Sequence, residues 1–140
     1  AELVDVPGSS SYVETGVVAY SNEVKQAVLG VDPGLIESAG AVSEAVAVAM
    51  AEGAQRVGVV EIGIGVTGVA GPGGGSEEKP VGTVCFGVVG PGTEREARTV
   101  RFPGDRAMIR RQAARTALDL LRRVLQRRMR ERATIRGSGS

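Results

Sequence analysis

Apolar and polar positions along the chain change period several times, and each change marks an element. Residues 13–20, V-E-T-G-V-V-A-Y, carry β-branched residues at strand spacing and predict a strand ending at Tyr20. The next ten, S-N-E-V-K-Q-A-V-L-G, predict a short helix capped by Ser21 or Asn22, with Glu23 near its positive end and Gly30 ending it. Pro33 stands at the first position of a single helical turn. A clear helix follows, capped by Ser43, with Val46, Ala47, Met50 and Ala54 in one stripe and small residues suited to close packing on a sheet. Val81 to Val89 is an apolar run of strand type. A P-G-T turn at 91–93 joins it to residues 95–102, which alternate in character and predict a half-exposed hairpin partner. Asp105 caps the last helix, from Arg106 to about Arg132, whose stripe is Ile109, Ala113, Ala117, Leu120, Leu121, Val124 and Leu125. Ala1 to Val4 reads as the end of a helix and Val6 to Ser9 as a turn. The terminal G-S-G-S, residues 137–140, reads as a linker remnant, leaving one domain over residues 1–136.

The remaining stretch, residues 57–84, organises the chain. It begins as a β-branched run expected to form a buried strand, passes through Thr67, and breaks into a loop with glycines at 68, 71, 73, 74 and 75 around Pro72. A loop at the carboxyl end of a strand is where open α/β sheets bind ligands, and glycines let a substrate approach backbone N–H groups. A flexible surface loop with no ligand has the same composition. Gly63, Gly65 and Gly68 spell G-x-G-x-x-G, but A-G-P-G-G-G follows where the dinucleotide fingerprint requires a helix start, so that reading fails. No phosphate-binding G-x-x-x-x-G-K-[ST] occurs.

Composition narrows the chemistry. The 140 residues contain no histidine, which removes Ser-His-Asp and Cys-His catalysis and most zinc chemistry. The single Cys85 lies in a strand-like run, forms no internal disulfide and suits a reducing cytoplasm. No apolar run is long enough for a bilayer. Net charge is +1, yet arginines crowd the chain from Arg106 onward. They have no interleaved aromatic residues, so a solvated helix face is favoured over a nucleic-acid surface. Lys25 falls in the first turn of its predicted helix, where a cation opposes the helix dipole.

Several ordered segments carry a family resemblance: D-V-P-G-S-S-x-Y, G-V-V-A-Y-S-N-E-V-K, G-A-V-S-E-x-V-A-x-x-M-A, T-G-V-A-G-P-G-G-G-S-E-E-K-P-V-G-T-V and G-D-R-x-x-I-R. Together, from Leu3 to about Leu125, they strongly resemble the C-terminal domain of the competence/damage-inducible CinA family, which also occurs alone as nicotinamide-nucleotide amidase. The resemblance implies a three-layer α/β/α fold with a mixed sheet. It implies hydrolysis of nicotinamide mononucleotide to nicotinate mononucleotide and ammonia, with no metal or other cofactor. It assigns Lys25 as base and Tyr20 as the group that orients it or donates to substrate. Thr67, Gly68, Gly71, Gly73 and Gly74 would contact the pyridine nucleotide, and Arg106, with Arg110, would hold its phosphate or carboxylate. A cytoplasmic homo-oligomer is expected, with a CinA N-terminal domain as a further partner in relatives. Taken singly, each residue has an ordinary structural role: an exposed helix lysine, a strand-end tyrosine, a buried threonine, a helix-start arginine. The family pattern also includes a first strand ending in A-E-S-C-T-G-G, whose serine it marks as nucleophile. That motif is not among these 140 residues, so a sheet one strand short and a chain unable to turn over substrate are expected. The alternative is a structural or engineered homo-oligomer component without catalysis.

Overall fold

The computed structural model describes residues 2–139. Three helices come first: α1 (Asn22–Ala27), α2 (Pro33–Ala39) and α3 (Glu44–Gly58). The strands β1 (Gly63–Gly68), β2 (Thr83–Val89) and β3 (Arg95–Arg101) follow, and α4 (Arg106–Gly137) ends the fold. The caps read from sequence hold their helices. Ser21 accepts from the Val24 amide, Ser43 from Val46, and Asp105 from Met108, each satisfying an amide that a helix start leaves open. Asp32 caps α2 ahead of Pro33, and α2 runs for seven residues rather than a single turn.

The strands form one sheet in the order β1-β2-β3, both pairings antiparallel. Helix α3 covers one face and α4 the other, the expected three-layer α/β/α arrangement. On the α4 side, Val84, Phe86 and Val88 pack against Ile109, Ala113, Ala117, Leu120 and Val124. Phe86 meets Phe102 edge to face, with ring centroids 6.2 Å apart. On the α3 side, helix and sheet approach backbone to backbone. A Cβ on Gly65 would lie 2.0 Å from the Ala47 carbonyl oxygen, and one on Gly63 equally close to that of Ala51. The glycines that imitate a dinucleotide fingerprint therefore lie within β1 and serve helix packing.

Three local expectations change. Residues 13–20 form no strand in the described structure. Their burial alternates as a strand's would, with Val17 and Ala19 packed into the cluster of Leu29, Val31, Val46 and Met50 while Val18 and Tyr20 are exposed. Yet residues 14–20 make no hydrogen bond among the described residues, because no strand lies beside them to supply one. The mixed character expected of the sheet goes with them, since the hydrogen-bonded part is wholly antiparallel. Secondly, the run expected to be strand from residue 57 begins as helix. The last turn of α3 is held by the Arg56 guanidinium on the Leu29 carbonyl (2.9 Å) and by Gln55 on the carbonyls of Glu61 (2.8 Å) and Gly90 (3.2 Å). These tertiary bonds override local β propensity. Finally, residues 2–4 are a 3-10 turn, and Ala1, with its share of the expected helix end, lies outside the described residues.

Candidate functional site

The carboxyl end of β1 lies at the N-terminal end of α3, because the helix runs antiparallel to the strand: Ala51 sits over Gly63 and Ala47 over Gly65. Thr67, next in that row, is 6% exposed and donates its hydroxyl to the Ala41 carbonyl at 2.8 Å. Its proton is thus committed to the turn that leads into α3, and its oxygen keeps only acceptor capacity.

After Gly68 the chain loops out and returns antiparallel, pinned by Val69 N–H on Thr83 O (2.9 Å) and Gly82 N–H on Val69 O (2.7 Å). Two cations clamp this loop. Arg106, at the start of α4, donates through Nη1 to the Gly71 carbonyl at 2.9 Å. Lys79 reaches across to the Ala39 carbonyl at the end of α2, at 2.8 Å. A Cβ at Gly40 would stand 2.7 Å from that ammonium, so the missing side chain there makes room for the clamp. Gly71 and Gly74 have φ of 80° and 87°, the left-handed region glycine enters without penalty, while a Cβ at Gly73 would meet nothing within 4 Å. The loop is shaped at its ends and open at its tip, so the tip amides can face a ligand.

Lys25 is the second feature. It is 9% exposed, and its ammonium has no hydrogen-bond or ion-pair partner among the described residues. Burial alone pushes its pKa below the usual lysine value. The helix dipole expected to do this does not: α1 is six residues long and Lys25 lies in its last turn, where the dipole favours a cation.

The other sequence-predicted residues are placed unevenly. Tyr20 is 86% exposed and makes no hydrogen bond to Lys25 or the loop. Arg110 is exposed on α4, one turn beyond Arg106, and makes no hydrogen bond among the described residues. Hydrogen bonds therefore gather Thr67, Gly71 and Arg106, with Ala39, Ala41 and Lys79, around one rim. Lys25, Tyr20 and Arg110 are not tied to it. A shallow cleft of about 380 Å3 opens behind the loop between Val81, Arg101, Phe102, Pro103 and Gly104, without Lys25 in its wall. Lys79 is the site residue that motif reading passed over. Its signal is the S-E-E-K turn, closed by Lys79 N–H on Ser76 Oγ (3.0 Å), which aims the lysine away from the loop tip and back toward the body.

Fold and rim define a class: an α/β/α domain whose strand β1, at the edge of the hydrogen-bonded sheet, ends in a clamped glycine loop, with a desolvated lysine on a short helix. Residues 1–125 match the CinA C-terminal domain, and the chain belongs to that family. It is 59% identical over 129 residues to a CinA-like protein of Mycolicibacterium paratuberculosis, covering 89% of this chain and 30% of that protein. It is 55% identical over 125 residues to a CinA-like protein of Mycobacterium tuberculosis strain H37Rv, with 89% and 29% covered. The chain thus spans under a third of these relatives' length. Among solved structures, the competence/damage-inducible protein CihA of Agrobacterium tumefaciens superposes with a TM-score of 0.82 at 39% identity, over 85% of this chain and 73% of that one. A CinA superfamily protein of Escherichia coli superposes with a TM-score of 0.82 at 31% identity, over 87% and 70%.

Proposed function

We propose that this domain is of the nicotinamide-nucleotide amidase type, binding nicotinamide mononucleotide at the glycine rim and directing hydrolysis of its carboxamide to a carboxylate and ammonia. The observation that carries the reading is Lys25: a buried ammonium without a partner among the described residues, its pKa lowered by desolvation. Keeping a cation in such a place is unfavourable, and a lysine that is neutral more readily can take a proton from a nucleophile. In a chain without histidine, few other side chains can fill that role. The loop supplies the complementary part, since amides of the 71–75 stretch can donate to an oxyanion or a phosphate. Arg106 has one Nη committed to the Gly71 carbonyl, so it can fix the loop and still present donors to an anion beside it.

In this reading the reaction needs a hydroxyl nucleophile next to Lys25. Thr67 is unsuited, its proton being held by Ala41, and the family's serine motif is not among the 140 residues. The 140-residue chain accordingly binds the nucleotide without hydrolysing it. Titration with nicotinamide mononucleotide, followed by NMR, should shift amide signals of residues 68–75 and release no ammonia. Arg106→Ala should weaken the binding about tenfold or more, the loss of one charge-assisted contact and of the loop clamp. Binding undiminished in Arg106→Ala, or no shift at the rim in the parent, contradicts the proposal.

A further inference from the structure

The far end of α4 packs on little. Ile109, Ala113, Ala117, Leu120 and Val124 seat the helix on the sheet, and from Leu125 onward no described residue is buried. The helix nevertheless runs on to Gly137, twelve residues and about 18 Å past residue 125, where the match to the family ends. Charge is concentrated on it: eleven arginines against Asp119 and Glu131, a net +9 on one element of a chain whose total is +1. Part of that charge is spent within the fold. Arg122 and Arg123 pair with Asp119, and Arg127 and Arg128 with the carboxylates of Glu61, Glu94 and Glu96. Arg111, Arg115, Arg130, Arg132 and Arg136 are exposed, and their side chains have no hydrogen-bond or ion-pair partner among the described residues. Their directions follow from the helical repeat of 3.6 residues per turn. Arg111 and Arg115 point away from the sheet, opposite Ala113. In the exposed end Gln126, Met129 and Ala133 continue that outward line, with Arg132 and Arg136 along one side of it and Arg130 along the other.

We propose that the exposed end of α4 docks on duplex DNA, lying in the major groove with Gln126, Met129 and Ala133 toward the base edges and arginines reaching the phosphates on both walls. A B-form major groove is about 12 Å wide and admits an α-helix, and a phosphate backbone runs along each of its rims. Arg132 and Arg136 address one backbone and Arg130 the other. Arg111 and Arg115, on the same outward face nearer the sheet, meet phosphates where the helix leaves the groove. The sheet lies beneath the opposite face, so the body of the domain does not obstruct the approach. The lack of interleaved aromatic residues speaks against stacking on single strands, whereas duplex phosphates need only charge. A membrane surface calls for one continuous apolar face. Here Leu125 and Met129 are exposed among Arg122, Arg132 and Arg136, and Ile135 points to the sheet side. A second copy of the helix would meet like charge along both flanks. Phosphate contacts carry no sequence information, so binding is set by charge rather than by sequence. The inference uses none of the rim residues and is independent of the amidase reading.

The test is fluorescence anisotropy of a labelled DNA duplex of two helical turns, roughly 21 base pairs, titrated with the 140-residue chain at several salt concentrations. Affinity should fall as salt rises, with a logarithmic slope of about −4.5 for contacts from the five arginines. Replacing Arg130, Arg132 and Arg136 together by Gln should bring the slope about three closer to zero and weaken binding at least about thirtyfold at roughly 100 mM salt. Lys at the same three positions should bind within about threefold of the parent, since charge and not a planar fork is read; this variant separates lost charge from lost helix. Arg98→Gln with Arg101→Gln, which removes exposed charge from β3, should change affinity by less than about threefold. Four results overturn the proposal. The chain fails to bind the duplex at about 50 mM salt; the triple Gln variant binds as the parent does; a DNA single strand, or an RNA duplex whose A-form major groove is too narrow for a helix, binds as tightly as the DNA duplex; or vesicles of phosphatidylcholine and phosphatidylserine bind more tightly than the duplex, making the surface a membrane contact.

Discussion

Lys25 holds the sharpest physical conflict in the molecule. A cation with no partner among the described residues is kept 9% exposed, and burial lowers its pKa from 10.5. The unfolded chain therefore binds the Lys25 proton more tightly than the folded one. Its contribution to stability is complete above pH 10.5 and is lost as pH falls toward the lowered folded value. At neutral pH the residue is a net cost. Lys25→Met, which keeps the length of the side chain and removes the charge, should raise the melting temperature at pH 7 and flatten the rise in stability below pH 10.5. Thermal unfolding of both forms across that range checks it; a variant less stable at pH 7 would mean that the ammonium is well solvated. Lysines differ here by position. Lys79 spends its charge on the Ala39 carbonyl and fixes the loop, whereas Lys25 has no such duty.

At the scale of elements, the sheet is tuned to α3 by absent side chains. Gly65→Ala would drive a methyl group against the Ala47 carbonyl with no room to turn, and should cost about 3 kcal/mol or more in chemical denaturation. Gly73→Ala, on the open loop tip, should stay within about 0.5 kcal/mol of the parent. Equal effects would mean that α3 can slide away from β1. The same contrast shows what was legible in the sequence. Caps at Ser21, Ser43 and Asp105, the apolar stripe of α4 and the β2–β3 hairpin were readable because local rules govern them. The start of β1 was not, because Arg56 and Gln55 hold the end of α3 through carbonyls far along the chain. Residues 13–20 have the spacing of a strand without becoming one, since pairing depends on a neighbour that spacing cannot report. At the site, the glycine loop and Arg106 were visible as motifs. Lys79 and the Thr67–Ala41 bond were not, because each joins the rim to the region between α2 and α3.

The whole molecule is a sheet covered on both faces, with β1 as an edge strand that pairs only with β2 among the described residues. Arginines of α4 serve the opposite side: Arg127 pairs with Glu94 and Glu96, and Arg128 with Glu61 and Glu94, joining the helix to the far ends of the strands. Such pairs at the surface stabilise little individually but orient the helix. No helix among the described residues is long and apolar enough to cross a membrane. The most direct measurement is ammonia release from nicotinamide mononucleotide by this chain extended at its N-terminus with the segment that precedes the matching region in the Mycolicibacterium paratuberculosis relative, with and without Lys25→Met. The extended parent should turn over, and Lys25→Met should lose at least about a hundredfold in kcat, the contribution of a general base, while still binding the nucleotide. Turnover by Lys25→Met at the parent's rate, or an extended parent that folds yet releases no ammonia, would contradict the account.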